Sequence, residues 1–119
     1  MDILFKNWVP VILWSGLIFA FSSIPNLKLP SLGLGFEDKI YHFTEFFIWG
    51  ALYAKSYKMT PGQKSIRGFM IALVIGMAFA LLDEGHQRWI PGRGFDWKDL
   101  LSNWSGLACS LLFLFFLKK

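Results

Sequence analysis

Four apolar stretches, each close to the length of a bilayer crossing, leave this chain few ways to fold. They run over about 8–24, 40–57, 68–87 and 99–117. A helix crosses the hydrocarbon with roughly 17–25 residues. A soluble helix needs a polar face, and these stretches lack one along most of their length. With 55% hydrophobic and 18% aromatic residues in 119, the composition agrees. Backbone groups left free in hydrocarbon are prohibitively costly, so each stretch should be a regular helix where it meets lipid. Pro25 and Pro30 stop the first helix and the Pro91-Gly92 turn closes the third. The expectation is an all-α integral membrane bundle of four transmembrane helices, a single domain over 1–119. The stretch from Ala54 to Arg67 is expected to be a plain loop. The first segment ends in Phe21-Ser22-Ser23-Ile24-Pro25 without a small-x-small cleavage site, so it is expected to be a retained helix.

The charges are sorted by this topology. Glu37, Asp38, Glu45, Asp83, Glu84, Asp96 and Asp99 fall on one side, and only Asp2 on the other. Lys6, Lys55, Lys58, Lys64, Arg67, Lys118 and Lys119 face Lys28, Lys39, Arg88, Arg93 and Lys98 across the membrane. This bias predicts both termini in the cytoplasm and the acidic face outside, with Trp89 and Trp97 in the outer interfacial belt. The inverted topology is the alternative. The net charge of +4 is spread between apolar segments, which reads as topology signal and not as a nucleic-acid surface. The single cysteine, Cys109, cannot form a disulfide within one chain.

Small residues recur every fourth position in the third segment, at Gly68, Ala72, Gly76 and Ala80, and in the fourth at Ser102, Gly106 and Ser110. Such stripes let helix backbones approach closely where lipid supplies no hydrophobic drive for association. The first stripe continues to Glu84, and the second runs beside Asp99 and Asn103, so packing face and polar face coincide.

The polar residues form a constellation. Asp38, His42 and Glu45 share one face of the second helix. Glu45 lies about a turn inside the apolar region, where an ionisable group is paired or functional by default. Asp83, Glu84, His86 and Gln87 lie within one turn of the third helix, and Asp99 and Asn103 share a face of the fourth. The loop between them adds Arg88, Arg93 and Asp96. Several readings compete. The acids pair with Lys39, Arg88, Arg93 and Lys98 and fix helix ends. Alternatively His42, Glu45, Asp83 and Glu84 supply proton transfer or orientation, while Arg88 and Arg93 hold a phosphate or carboxylate by forked hydrogen bonds. Asp38, Lys39, Gln87, Asp96, Asp99 and Asn103 would then complete the binding surface. A metal set of His42, Glu45, Asp83 and His86 offers adequate nitrogen and oxygen donors but no compact signature. A transport pathway is a fourth reading, with little room in four short helices. No cofactor is expected.

The motifs Asp38-Lys39-Ile40-Tyr41-His42-Phe43, Asp83-Glu84-Gly85-His86-Gln87, Pro91-Gly92-Arg93, and Asp96 to Asp99 with Asn103 and Gly106 resemble the VanZ-like membrane protein family. Phe21-Ser22-Ser23-Ile24-Pro25 resembles it too, so the likeness covers almost the whole chain. The resemblance implies a multi-pass bacterial membrane protein. The family's founding member is associated with resistance to teicoplanin, a lipoglycopeptide, through an activity that is not settled. The working expectation is a cell-membrane protein whose extracytoplasmic polar site binds or modifies an envelope component, such as a lipid-linked cell-wall intermediate or a lipoglycopeptide. The rival is a non-enzymatic protein whose polar cluster only ties helices together. Four short helices leave surface for a homo-oligomer, and no nucleic acid is expected as partner.

Overall fold

The computed structural model describes residues 3–25, 33, 37–60 and 64–117, with side chains from Lys6 onward in the first helix. Asp2, Lys28, Pro30, Lys118 and Lys119, which entered the charge and helix-stop arguments, lie outside the described residues. The fold is all-α. Four helices follow in order: α1 (Ile3–Ser22), α2 (Glu37–Lys58), α3 (Ser65–His86) and α4 (Trp97–Leu112), with a 3-10 turn at Gln87–Trp89 and a π-helical continuation of α4 at Phe113–Leu117. No strand occurs among the described residues. Of the four crossings expected from the sequence, two helical stretches among the described residues, Ser65–Trp89 and Trp97–Leu117, are long and apolar enough to cross a membrane. Large apolar side chains stand outward on several helices, among them Leu13, Val74, Leu82 and Leu117 at 63–70% exposure. Exposed apolar surface of this kind suits lipid or a protein partner better than water.

Helix limits extend beyond the apolar stretches. α2 starts at Glu37, where Glu37 and Asp38 place negative charge on its first turn, and ends with Lys55 and Lys58 in its last. Both choices complement the helix dipole. The second loop is therefore shorter than 54–67. α1 begins ahead of Trp8 and carries Pro10 inside it; proline has no N–H and removes one intrahelical bond there. Between α3 and α4 the chain turns at Ile90–Arg93. Arg93 N–H donates to the Ile90 carbonyl at 3.0 Å, and Gly92 takes φ 77°. Proline then glycine at the centre of a turn, with positive φ at the glycine, is the pattern of a type II turn.

α2 is the central helix and packs most extensively on α4. Every small residue of the α3 stripe, Gly68, Ala72, Gly76 and Ala80, is buried, as are Gly106 and Ser110 on α4. The reason is contact. A Cβ on Gly106 would stand 2.1 Å from the backbone oxygen of Phe43 on α2, and one on Gly76 would meet Leu107 at 2.6 Å. Trp49, Tyr53 and Tyr57 stack along the buried side of α2, with Trp49–Tyr53 ring centres 5.4 Å apart. The buried indole of Trp49 donates to Ser15 Oγ at 2.9 Å, so α1 is fastened by a polar bond as well as by packing. At one end of the bundle Ser56 donates to the Asn7 carbonyl and Tyr57 to that of Lys64. The opposite end gathers the C-termini of α1 and α3, the N-termini of α2 and α4, and the acids.

Candidate functional site

Asp83 and Glu84 are adjacent on α3, so their side chains leave the helix about 100° apart and reach different neighbours. Both are buried, at 1% and 0% exposure. Asp83 turns to α1, where Ser22 Oγ donates to its Oδ1 at 2.5 Å. His86, a turn later, joins the same contact. Its Nδ1 donates to the Asp83 carbonyl at 2.6 Å, its Nε2 meets Ser23 Oγ at 2.9 Å, and its ring stacks on Phe19 at 4.2 Å. Glu84 turns the other way, toward α2 and α4. The Asp96 backbone N–H donates to Glu84 Oε1 at 3.1 Å. The polar end thus divides into a tie between α1 and α3 and a cluster between α2, α3 and α4.

The cluster is built on α2 and α4. His42 Nδ1 lies 3.0 Å from Asn103 Oδ1. An amide oxygen accepts, so Nδ1 carries a proton. The ring's Nε2 lies 3.5 Å from Asp99 Oδ2. Lys39 closes the outer edge, with its Nζ at 2.5 Å from both Asp38 Oδ2 and Asp99 Oδ1 and 3.4 Å from Asp96 Oδ2. Asp96 caps α4, accepting from Lys98 N–H at 2.8 Å. Asp96 and Asp38 precede the apolar stretches of their helices. The Lys98 N–H bond, aided by Lys39, holds Asp96 below the usual carboxylate range. The Lys39 hydrogen bond does the same for Asp38.

A cavity of about 600 Å³ opens beside the cluster, under the Gly92–Gly94 loop and between α1 and α2. Its lining mixes apolar side chains, Trp14, Phe21 and Ile48, with His42, Glu45, Gln87, Arg93 and Asp99. Arg93 is anchored by a bond from Nη2 to the Phe21 carbonyl at 3.1 Å. Glu45 lies within electrostatic reach of Arg93, Asp83 and Asp99. Glu84 Oε2, Gln87 Nε2, Asn103 Nδ2 and Arg93 Nε are buried and meet no hydrogen-bonding partner among the described residues. Such atoms in a native fold call for an explanation.

The structure sorts the sequence-derived candidates. Asp38, Lys39, His42, Glu84, Asp96, Asp99 and Asn103 meet in one cluster. Glu45, Gln87 and Arg93 share the adjoining cavity with it, while Asp83 serves the α1 tie. Arg88 is exposed, with its guanidinium 5.6 Å from the Trp89 ring and 5.9 Å from that of Phe95, and does not line the cavity. His42, Glu45, Asp83 and His86 are not the grouping that converges. Both ring nitrogens of His86 are engaged, and His42 instead lies with Glu84 and Asp99, whose donor atoms fall within 4.8 Å of one another. Ser22 and Ser23 are additional polar partners. Their signal in the sequence is a hydroxyl pair at the end of an apolar helix, level with the carboxylates.

The model of the VanZ/LLP1 family matches residues 4–118. No curated protein and no solved structure matches the chain. The family match takes in all four helices and every residue of the polar end, and the chain belongs to the VanZ/LLP1 family.

Proposed function

We propose that this chain is a four-span cell-membrane protein with cytoplasmic termini and an extracytoplasmic polar site. The site holds the anionic headgroup of an amphiphilic envelope component, such as a lipid-linked cell-wall intermediate or a lipoglycopeptide, for binding or modification. The observation that carries this reading is the cavity's mixed lining. Trp14, Phe21 and Ile48 line the cavity together with Arg93. A pocket of about 300–1,000 Å³ suits a small ligand, and the roughly 600 Å³ here suits a headgroup with the start of its lipid chain. Arg93 is positioned by the Phe21 carbonyl and keeps a buried Nε with no partner among the described residues, a donor matched to phosphate or carboxylate. The Lys and Arg bias of the second loop and the termini supports the orientation.

The test is binding of a short-chain polyprenyl phosphate to the purified chain in neutral detergent. A hydrogen bond to a charged group contributes about 1.5–3 kcal/mol, so Arg93→Gln should weaken binding by at least about tenfold with an unchanged elution profile. Equal affinity of parent and variant would remove the reading. A resistance role is tested in cells: protection from teicoplanin by the parent, and none by Glu84→Gln at matched membrane levels, is expected. One observation favours a second, structural reading: Lys39 spans Asp38, Asp96 and Asp99 and links α2 to α4. Under it, Lys39→Met would unfold the bundle and no ligand would be found.

A further inference from the structure

The three side chains that converge below the cavity share one pattern. Each has one polar atom held by a supporting partner and a second atom left for the common point. His42 gives Nδ1 to Asn103 and keeps Nε2. Asp99 gives Oδ1 to Lys39 and turns Oδ2 toward His42 Nε2 at 3.5 Å. Glu84 gives Oε1 to the Asp96 N–H and leaves a buried Oε2 with no hydrogen-bonding partner among the described residues. Metal ligands are oriented in this way, by an outer partner on the atom that does not coordinate.

We propose that His42, Glu84 and Asp99 bind one divalent transition-metal ion, for which Zn²⁺ is the best match, with a further position open to the cavity. Ligands about 2.0–2.2 Å from a zinc ion stand roughly 3.4 Å apart at tetrahedral angles. The His42–Asp99 pair is already at 3.5 Å. One donor atom from each of the three side chains lies within 4.8 Å of the other two, so closure on an ion needs side-chain shifts on the order of 1 Å. Three protein ligands with a fourth position left for solvent or substrate is the ligand count of catalytic and not of structural zinc sites.

Lys39 is shared among Asp38, Asp96 and Asp99, so it holds the outer oxygen of Asp99 and leaves Oδ2 to the common point. A metal ion takes its carboxylate ligands in the deprotonated form. His42 and Asp99 line the cavity, so an ion between them would polarise a phosphoryl or carbonyl oxygen of a ligand held there. The assignment rests on the donor geometry and does not require the ligand class proposed above.

The experiment uses the full chain, purified without nickel affinity, stripped with chelator and reloaded with Zn²⁺ or Co²⁺. Elemental analysis after gel filtration should give one ion per chain. The Co²⁺ form should show visible d–d absorption of a low-coordinate nitrogen and oxygen site. Glu84→Gln and His42→Gln should weaken retention at least about tenfold, while His86→Gln, outside the set, keeps one ion. Failure of the parent to retain a stoichiometric ion would overturn the assignment, whatever the fate of the variants. So would full retention by both Glu84→Gln and His42→Gln. Polyprenyl phosphate binding is read separately, so loss of that reading leaves this result standing.

Discussion

Gly106 is where the packing of the bundle and the geometry of its polar end are joined, and Gly106→Ala tests both. The added Cβ would stand 2.1 Å from Phe43 O, 2.9 Å from Phe43 C and 3.1 Å from Phe43 Cα. Ordinary van der Waals contact begins at 3.4 Å. All three opposing atoms are backbone, so no rotamer relieves the clash and α2 must move from α4 by more than about 1 Å. Overpacking of this kind costs typically about 1–3 kcal/mol, and a clash with backbone belongs at the upper end. Phe43 follows His42, and Gly106 lies one turn after Asn103. The same displacement therefore stretches the 3.0 Å His42–Asn103 bond toward the limit of hydrogen bonding. The assay is thermal unfolding in detergent, with Gly16→Ala as the reference. Gly16 has nothing within 4 Å of its added Cβ, and alanine there gains about 0.5–1 kcal/mol in helix propensity. Gly106→Ala should melt several degrees below the parent and Gly16→Ala at or above it. Coincident melting of parent and Gly106→Ala would refute the close-approach argument.

Two further outcomes follow from named contacts. Ser22→Ala removes the donor to buried Asp83 and should cost about 1–3 kcal/mol; limited proteolysis should then cut nearer α1, and unchanged cleavage would speak against the tie. Asp96 has its folded pKa below the ordinary 3.8, so its contribution is complete above that value and is lost as pH falls through the lower folded one. The gap in melting temperature between the parent and Asp96→Asn should therefore shrink below about pH 4 and stay constant from pH 5 to 7; a gap flat through the acid range would show that the charge contributes nothing.

Much of the framework was legible because it rests on one-dimensional signals. Apolar length located the helices, spacing by four gave the small-residue faces, and Pro91-Gly92 marked the turn. The same signals placed the acids at one end. What the sequence does not encode locally is which neighbour each face meets. Asp83 and Glu84 read alike as adjacent acids in one turn, yet one bonds Ser22 on α1 and the other Asp96 ahead of α4. His42 and His86 read alike as helical imidazoles, yet only His42 keeps a ring nitrogen directed at carboxylates of the central cluster. Arg88 and Arg93 lie in one loop, but aromatic faces take the first and the cavity the second. In each pair, rotation about a helix axis or the path of a turn decides, and both are set by long-range packing.

That dependence explains why so polar an end sits on so apolar a bundle. Hydrocarbon provides no hydrophobic drive to press helices together, so close approach depends on glycine-sized contacts. Close approach in turn excludes solvent from Glu84, Asn103 and Asp83, each at 0–1% exposure. Once dry, these groups cannot exchange one partner for water, and their interactions are strengthened by the low dielectric. The site's specificity for a partner atom is therefore a consequence of Gly106 lying against Phe43. Loosening that contact should raise solvent access and, for the metal and headgroup binding proposed above, lower affinity as well, even when every charged residue is retained. Gly106→Ala with full stability loss and undiminished metal or headgroup binding would separate packing from site geometry and refute this coupling.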